Sequence, residues 1–317
     1  MTFSDIVAHA SVILTEGSLR ERLHRNPMTT LDSYADHAGF IYDPTERVIL
    51  ERFYREYINI GRTANVPFIV CTPTHRANPE RLRKAGFEEQ IDVNGDSVRF
   101  LSTIRDSYEG YAKRIFIGGL MGCRGDSYSP ADALNSQDAA TFHEQQAHIL
   151  SEAGVDFLMA ATQPASSEAL GIARAMAAAE VAYVVSFVIR PVGTLLDGTP
   201  LPEAISMIDG AVTPAPLGYM INCVHPVVLL EALSQLVKSS PGLCERILGL
   251  QGNTSTKSPE DLNNLDHVDA PQSPAEFAAA MVDVHRRFGV KVLGGCCGTD
   301  DRHIRAIARC LGAGLES

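Results

Sequence analysis

The sequence predicts a single (β/α)8 barrel of the TIM type, an α/β fold, and three observations predict it. Eight short apolar runs, most of them rich in β-branched or aromatic residues, recur along the 317 residues. These runs are apolar throughout, which is typical of parallel strands buried on both faces. Segments with helical spacing and charged faces lie between them. Eight such units favour a closed barrel, and an open doubly wound sheet is the alternative.

The candidate strands follow one another at intervals that leave room for a helix after each. They are SVILT from Ser11, VPFIVCT from Val66, RIFIGGL from Arg114, VDFLMAAT from Val155, VAYVVSFV from Val181, LGYMIN from Leu217, RILGLQ from Arg246 and VKVLGG from Val290.

Helices are predicted between these strands by apolar residues at helical spacing. The clearest lie at residues 43–64, 136–154, 166–180, 225–240 and 273–289. Several begin at a capping Ser or Asp and end at glycine. Because no linker or break in composition interrupts the alternation, we expect residues 1–317 to form one domain, with HVDAPQSP at 267–274 as a long loop.

Composition and charge narrow the class of partner. The formal net charge of -11 disfavours nucleic-acid binding, which needs a basic surface. No apolar run reaches the roughly 18 residues of a membrane span, and the first residues lack a basic segment before an apolar one. We therefore expect small-molecule ligands, no nucleic acid or membrane partner, and a cytoplasmic protein, with the oligomeric state left open.

Chemically active side chains collect where the predicted strands end. In a parallel α/β fold these carboxyl ends share one mouth, where active sites lie. The residues there, in chain order, are Glu16, His75, Thr162, Asn222, Cys223, Cys296 and Cys297. The sixth and eighth strands thus bring three cysteines to the same mouth.

Three thiolates can hold a zinc ion and leave one coordination position open, as in a catalytic site. We expect Gly294, Gly295 and Gly298 to supply the backbone freedom that points two adjacent sulfurs at one ion. The odd count of seven cysteines in a long chain predicts reduced thiols. The adjacent pair could instead be two small buried residues in a turn, or a redox pair. Other possible ligands are Cys71, Cys123, His75, His225 and His303, although the last two also suit helix starts.

The segment GGCCGTDDRHIRAIA from Gly294, together with NCVHP from Asn222, resembles the zinc-dependent homocysteine S-methyltransferase family. The resemblance covers most of the chain, and residues 19–65 match least. Further matching segments are TPTHRANPERLRKAGF from Thr72, GDSYSP from Gly125, HILSEAGVDFLMAATQPASSEA from His148 and GTPLPEA from Gly198.

This resemblance implies a barrel in which Cys223, Cys296 and Cys297 bind Zn2+ and a substrate thiol takes the fourth position. It implies methyl transfer from a small sulfonium donor, S-methylmethionine or S-adenosylmethionine, to a thiol, with homocysteine giving methionine as the first expectation. The residues expected to bind substrate are Glu16, His75, Thr162 and Asn222.

Three positions depart from the family pattern. The family has an aspartate after its first strand and a glutamate before the threonine after its fourth, and both hold the amino group of homocysteine. Here these positions are Glu16 and Ala161, and His75 replaces a tyrosine. Three alternatives therefore stay open: methylation of a different thiol or selenol, a non-catalytic zinc or thiol-binding homologue, and a metal-free redox protein.

Overall fold

The computed structural model describes residues 1–88, 90–258, 261–262 and 271–315. Eight parallel strands form a closed barrel in the order of the chain, which confirms the predicted (β/α)8 fold. The strands are β1 (Ile13–Thr15), β2 (Phe68–Cys71), β3 (Ile115–Met121), β4 (Phe157–Gln163), β5 (Tyr183–Phe187), β6 (Gly218–Asn222), β7 (Ile247–Gly252) and β8 (Val292–Gly295). Five lie within the run that predicted them, and β3, β4 and β7 each extend one residue beyond it, to Met121, Gln163 and Gly252.

The barrel closes between its first and last strands. Leu14 of β1 lies opposite Phe68 of β2 on one side and Leu293 of β8 on the other. Alternate side chains fill the barrel interior, where Phe157 stacks on Phe3 with ring centroids 3.8 Å apart. The remaining strand residues pack against the helices. Burial on both faces explains why the strands are apolar throughout rather than alternating.

Helices surround the barrel and carry the chain from each strand to the next. They are α1 (Phe3–His9), α2 (Leu19–His24), α3 (Pro44–Ala64), α4 (Pro79–Lys84), α5 (Val93–Asp106), α6 (Ser136–Glu152), α7 (Ser166–Ala178), α8 (Leu201–Ala211), α9 (Pro226–Ser239), α10 (Pro274–Phe288) and α11 (Asp301–Leu315). Short 3₁₀ helices lie at Ala38–Ile41, Glu109–Arg114 and Pro241–Arg246. All five predicted helices are confirmed.

The helix boundaries follow from local capping chemistry. Asp43 accepts hydrogen bonds from the backbone N–H groups of Thr45 and Glu46 and so starts α3. Ser273 forms a capping box that starts α10, and Gly289 ends this helix at φ +70°. Of the predicted long loop at 267–274, residues 267–270 lie outside the described part of the chain, and α10 begins at Pro274.

The β1 to α3 connection is the longest of those that the structure describes at the carboxyl end of the barrel. It contains α2 and a tight loop in which residues Asp32 and Asp36 bridge each other through their backbones. No helix among the described residues is long and apolar enough to cross a membrane.

Candidate active site

A cavity of about 300 Å³ opens at the carboxyl end of the barrel. All seven residues predicted from the strand ends line it, namely Glu16, His75, Thr162, Asn222, Cys223, Cys296 and Cys297. The carboxyl ends of the parallel strands therefore meet at this cavity, as the predicted barrel topology requires.

Three cysteine sulfurs lie together in the lining of this cavity. The ligand atoms of Cys223, Cys296 and Cys297 are all within 4.8 Å of one another. The Cys297 sulfur lies 3.5 Å from that of Cys223 and 4.0 Å from that of Cys296. This is the only group of three or more potential metal ligands found among the described residues.

Cys223 and Cys296 are joined by a disulfide in this structure, whereas Cys297 is a free thiol. The prediction of reduced thiols is therefore wrong for these two residues in this state. The reason is tertiary proximity, since β6 and β8 bring together two residues separated by 73 positions in the chain. The other four cysteines are free, as predicted.

The backbone around the cysteines departs from the prediction in one respect. Gly298 adopts φ +81°, where a side chain is strained, and its Cβ would lie 1.7 Å from the Thr254 hydroxyl oxygen. Gly294 and Gly295 instead lack a positive φ. They are required because a Cβ would lie 2.1 Å from the Thr15 side chain and 2.2 Å from that of Thr299, respectively. Two of the three glycines thus serve close packing rather than conformational freedom.

Cys223 itself adopts the left-handed conformation, with φ +54°. Residues other than glycine occupy this region at an energetic cost, and such positions cluster at functional sites. The turn at Cys223 follows β6 directly and places its sulfur 3.5 Å from that of Cys297.

The donor set of the cluster fits a thiophilic metal ion once the disulfide is reduced. Zinc–sulfur bonds of about 2.3 Å in a tetrahedral arrangement place sulfur atoms about 3.8 Å apart. The two distances from Cys297, 3.5 and 4.0 Å, bracket this separation. The cavity lies on the open side of the cluster, where a fourth ligand would enter.

The Cys297 thiol is surrounded by groups of both signs. Burial raises its pKa to about 12, and the carboxylate of Glu21 adds to this, while the Tyr128 hydroxyl and the Arg20 charge oppose it. The Tyr128 oxygen lies 3.6 Å from the Cys297 sulfur. Glu21 also accepts a hydrogen bond from the backbone N–H of Gly298, so it holds the turn that follows the cysteine pair.

Tyr128 is held by a loop that is fixed at both ends by one buried side chain. Glu168 on α7 accepts hydrogen bonds from the backbone N–H of Arg124 at 2.6 Å and of Leu134 at 3.3 Å. The same carboxylate contacts the His143 ring at 3.0 Å, and both side chains are almost fully buried. The loop between these anchors is therefore positioned by the packing of α6 and α7.

Glu16 lies at the base of the cavity and does not cap a helix. Its carboxylate accepts hydrogen bonds from the Cys71 N–H at 2.9 Å and the Thr15 hydroxyl at 3.1 Å. Burial raises the pKa of Glu16 to about 7, although its hydrogen bonds oppose this shift. A group that titrates near neutrality can hold or release a proton under ordinary conditions.

Asn222 belongs to a chain of hydrogen bonds that crosses the barrel mouth. Ser186 donates to its side-chain oxygen, and its NH2 group donates to the Gln251 side chain. Gln251 donates to the Thr15 hydroxyl at 3.2 Å, and this hydroxyl donates to Glu16. Side chains from β5, β6, β7 and β1 thereby fix the orientation of Glu16. Ser186 and Gln251 lie within strands, so the inspection of strand ends missed both.

Thr162 lies at an irregularity in β4. The pairing of β4 with β5 shifts register between Ala160 and Gln163, and Thr162 adopts φ +54°, which is rare for a β-branched residue. Such bulges redirect side chains beside active sites. Both Thr162 and Ala161 line the cavity, and Ala161 contributes only a methyl group to its wall.

His75 follows β2 and packs closely on Gly122, which follows β3. Burial, with a further contribution from Arg76, lowers the pKa of His75 to about 3. The ring is therefore neutral at physiological pH. It can exchange hydrogen bonds with a ligand but carries no charge.

The alternative ligands do not join the sulfur cluster. His225 accepts a hydrogen bond from the Val227 N–H at the start of α9, and His303 contacts Asp300 at the start of α11. Both thus mark helix starts. Cys71 and Cys123 are buried free thiols, and neither belongs to the group found among the described residues.

Residues 19–65, which match the family pattern least, contribute part of the cavity wall. Arg20, Asp36 and His37 line it, together with Arg76 from the next connection. Arg76 follows β2 and could be placed at the mouth from the sequence, whereas Arg20, Asp36 and His37 reach it only because the β1 to α3 connection folds back over the mouth.

Comparison with known proteins is consistent with this architecture. The family model for homocysteine S-methyltransferase matches residues 13–311. The chain is 23% identical to the homocysteine S-methyltransferase of Escherichia coli (strain K12), over 93% of this chain and 94% of that protein. It is also 24% identical to the methionine synthase of Mycobacterium leprae (strain TN), over 94% of this chain but 24% of that much longer protein.

Solved structures share the fold. Homocysteine methyltransferase MmuM from Escherichia coli in its oxidized form aligns with a TM-score of 0.76 and 20% identity, over 96% of this chain and 98% of that chain. The metallated form of the same protein gives a TM-score of 0.75 with the same identity and coverage. Since the family model spans nearly all of the chain, this protein belongs to the homocysteine S-methyltransferase family and is an S-methyltransferase.

Proposed function

We propose that this protein is a zinc-dependent S-methyltransferase that moves a methyl group from a small sulfonium donor to a thiol, with homocysteine as the first candidate acceptor. One observation carries the proposal, namely three cysteine sulfurs within 4.8 Å in the lining of a cavity open to small molecules. The name of the metallated relative MmuM supports a metal in this family without identifying it.

Zinc would be held by Cys223, Cys296 and Cys297, and when bound it would supply a positive charge that keeps an entering thiol deprotonated at neutral pH. The chain itself supplies position and shielding. The cavity walls shield the reacting sulfur once the substrates are bound and hold the two substrates in line for displacement. No general base is needed beside the cluster.

The charges around the cavity favour a positively charged donor. Its lining includes four carboxyl groups, on Glu16, Glu21, Asp36 and Asp126, against two guanidinium groups. A sulfonium such as S-methylmethionine or S-adenosylmethionine loses its positive charge on transfer. The surrounding carboxylates therefore attract the charged donor more strongly than the neutral sulfide that remains after transfer.

Glu16, His75, Thr162 and Asn222 are proposed to contact the acceptor. Glu16 is the carboxyl group at the base of the cavity and is the natural partner for an amino group of the acceptor. Asn222 would orient it through the hydrogen-bond chain, and the neutral His75 ring and Thr162 would offer further polar contacts.

A second acceptor class is favoured by one specific observation. Ala161 places a methyl group on the wall where a second carboxylate would complete an ammonium site. A buried ammonium with an incomplete set of partners is unfavourable by several kcal/mol. A thiol or selenol without an amino group is therefore the alternative substrate.

The test combines metal analysis with calorimetry on protein reduced by a phosphine. We expect about one zinc per chain and the release of about one proton when homocysteine binds, measured in buffers of different ionisation enthalpy. Cys297→Ser should lose both zinc and turnover, whereas the control Cys244→Ser, which lies before β7 at the opposite end of the barrel, should keep both.

Three results would count against the proposal. A zinc-loaded and fully active Cys297→Ser variant would remove the assignment of the cluster. Stable zinc without methyl transfer for any donor and thiol would favour a binding protein. A protein that binds no zinc after full reduction would favour a redox role for the cysteine pair.

A further inference from the structure

Two arginines at the rim of the cavity share one carboxylate. The Arg20 Nε lies 3.0 Å from an oxygen of Asp36, and the Arg76 Nε lies 3.6 Å from the same oxygen. Arg20 comes from α2 and Arg76 from the β2 to α4 connection, so two separate elements converge on Asp36. All three residues line the cavity.

Asp36 is built to hold these arginines. Its side chain is only 12% exposed, and the charges of Arg20 and Arg76 overcome the effect of burial, so the pKa of Asp36 lies below its usual range. Its backbone is fixed at φ +53° in the loop where Asp32 and Asp36 bridge. The carboxylate thus remains ionised and orients both guanidinium groups.

The terminal nitrogens of both guanidinium groups are left available. Each arginine reaches Asp36 through Nε, and among the described residues no acceptor is hydrogen-bonded to the terminal nitrogens of either one. A guanidinium binds a carboxylate best through two parallel N–H groups. Two guanidinium groups around a single carboxylate sum to one positive charge over these three residues.

The two neighbouring histidines add no charge to these three residues. Burial lowers the pKa of His37 to about 4 and of His75 to about 3, so both rings are neutral. The cavity carboxylates Glu21 and Asp126 are oriented by backbone groups and not by the two arginines, since Glu21 accepts from the Gly298 N–H and Asp126 from the Tyr128 N–H at 2.9 Å. The negative charge of Glu21 still acts on Arg20 but leaves the terminal nitrogens of its guanidinium group open to a ligand.

We propose that Arg20 and Arg76 form a subsite that binds a carboxylate of one of the two substrates. This inference rests on the proposed function and deepens it, because it requires an acidic substrate whose sulfur lies at the cysteine cluster and whose carboxylate lies at the rim. The carboxylate comes from the acceptor thiol or from the methyl donor, and the test separates these two sources.

To test the acceptor as the source of the carboxylate, the affinities of three thiols for the zinc-loaded protein are measured by calorimetry. The thiols are homocysteine, 4-mercaptobutyrate, which lacks the amino group, and 3-mercaptopropylamine, which lacks the carboxylate. We expect Arg76→Met and Arg20→Met to weaken binding of the two carboxylate-bearing thiols by about ten- to a hundred-fold, the range of a hydrogen bond to a charged group. Binding of 3-mercaptopropylamine should not change in Arg76→Met, the variant whose charge does not act on Cys297.

To test the methyl donor as the source of the carboxylate, KM is measured for S-methylmethionine and for trimethylsulfonium, which has no carboxylate. A rise of KM for S-methylmethionine alone in the same variants would assign the subsite to the donor and would also support it. Arg83→Met is the matched control, because Arg83 lies on α4 near the rim but does not line the cavity. It should leave every value unchanged.

The outcomes separate the two proposals. If homocysteine binds and neither arginine variant discriminates between ligands with and without a carboxylate, the subsite is wrong while the proposed function stands. If homocysteine does not bind and no methyl transfer to it is detected, but 4-mercaptobutyrate binds in an arginine-dependent way, the subsite stands and the proposed acceptor must be changed. If no carboxylate-bearing ligand depends on either arginine, the subsite is overturned. Thermal melts of each variant exclude a loss of folding as the cause.

Discussion

The buried carboxyl group of Glu16 should make the stability of this protein fall as the pH rises toward neutrality, and Glu16→Gln should remove that dependence. Below about pH 4 the carboxyl group is protonated in both the folded and unfolded chains. Between the unfolded pKa of 4.5 and the folded pKa of about 7, only the unfolded chain releases the proton. Ionisation therefore favours unfolding in this window.

The size of the effect follows from the pKa difference. A shift of the Glu16 pKa from 4.5 to about 7 corresponds to a loss of about 3 kcal/mol in the free energy of unfolding as the carboxyl group ionises, at roughly 1.4 kcal/mol per pKa unit. About 2.5 kcal/mol of this falls between pH 5 and pH 8. Glutamine can still accept from the Cys71 N–H, so its other effects on stability add a constant that does not vary with pH.

The measurement is urea denaturation of both proteins at several pH values from 5 to 8, followed by far-ultraviolet circular dichroism. Chelator and reductant are present throughout, because a bound metal ion would change the field at Glu16. All other titrating groups are shared, so the difference between the two proteins isolates this carboxyl group. A stability difference between the two proteins that stays constant with pH would refute the argument. An increase of wild-type stability relative to Glu16→Gln as the pH rises would mean that Glu16 is held ionised.

Further predictions concern the turn after the cysteine pair and the anchor of the loop that carries Tyr128. Gly298→Ala should destabilise the protein by about 1–3 kcal/mol and lower its Tm, because its Cβ would overlap the Thr254 hydroxyl at a positive φ. Gly312→Ala, with nothing within 4 Å, is the control and should not lower Tm. Glu168→Gln should cost about 1–3 kcal/mol and speed amide hydrogen exchange at residues 122–135, since one backbone N–H loses its acceptor. Glu152→Gln, in an exposed pair with His148, should change stability by less than about 0.5 kcal/mol, and equal exchange in both variants would contradict the anchoring role.

Much of the fold could be predicted because it follows from local pattern. Runs apolar on both faces predict parallel strands, and their alternation with capped amphipathic helices predicts a barrel. All eight strands lie where the sequence placed them. The site residues at strand ends could be predicted as well, since every parallel strand points its carboxyl end at the same mouth.

The sequence by itself thus determined which residues meet at the barrel mouth, together with the cysteine signature of the family. Only the tertiary structure decided how they meet. The pairing of Cys223 with Cys296, the packing role of Gly294 and Gly295, and the chain from Ser186 to Glu16 depend on contacts between distant strands. The rim formed by residues 19–37 depends on how one long connection folds back over the barrel. Such contacts leave no periodic signal in the sequence, because periodicity reports which face of an element is buried and not which neighbour buries it.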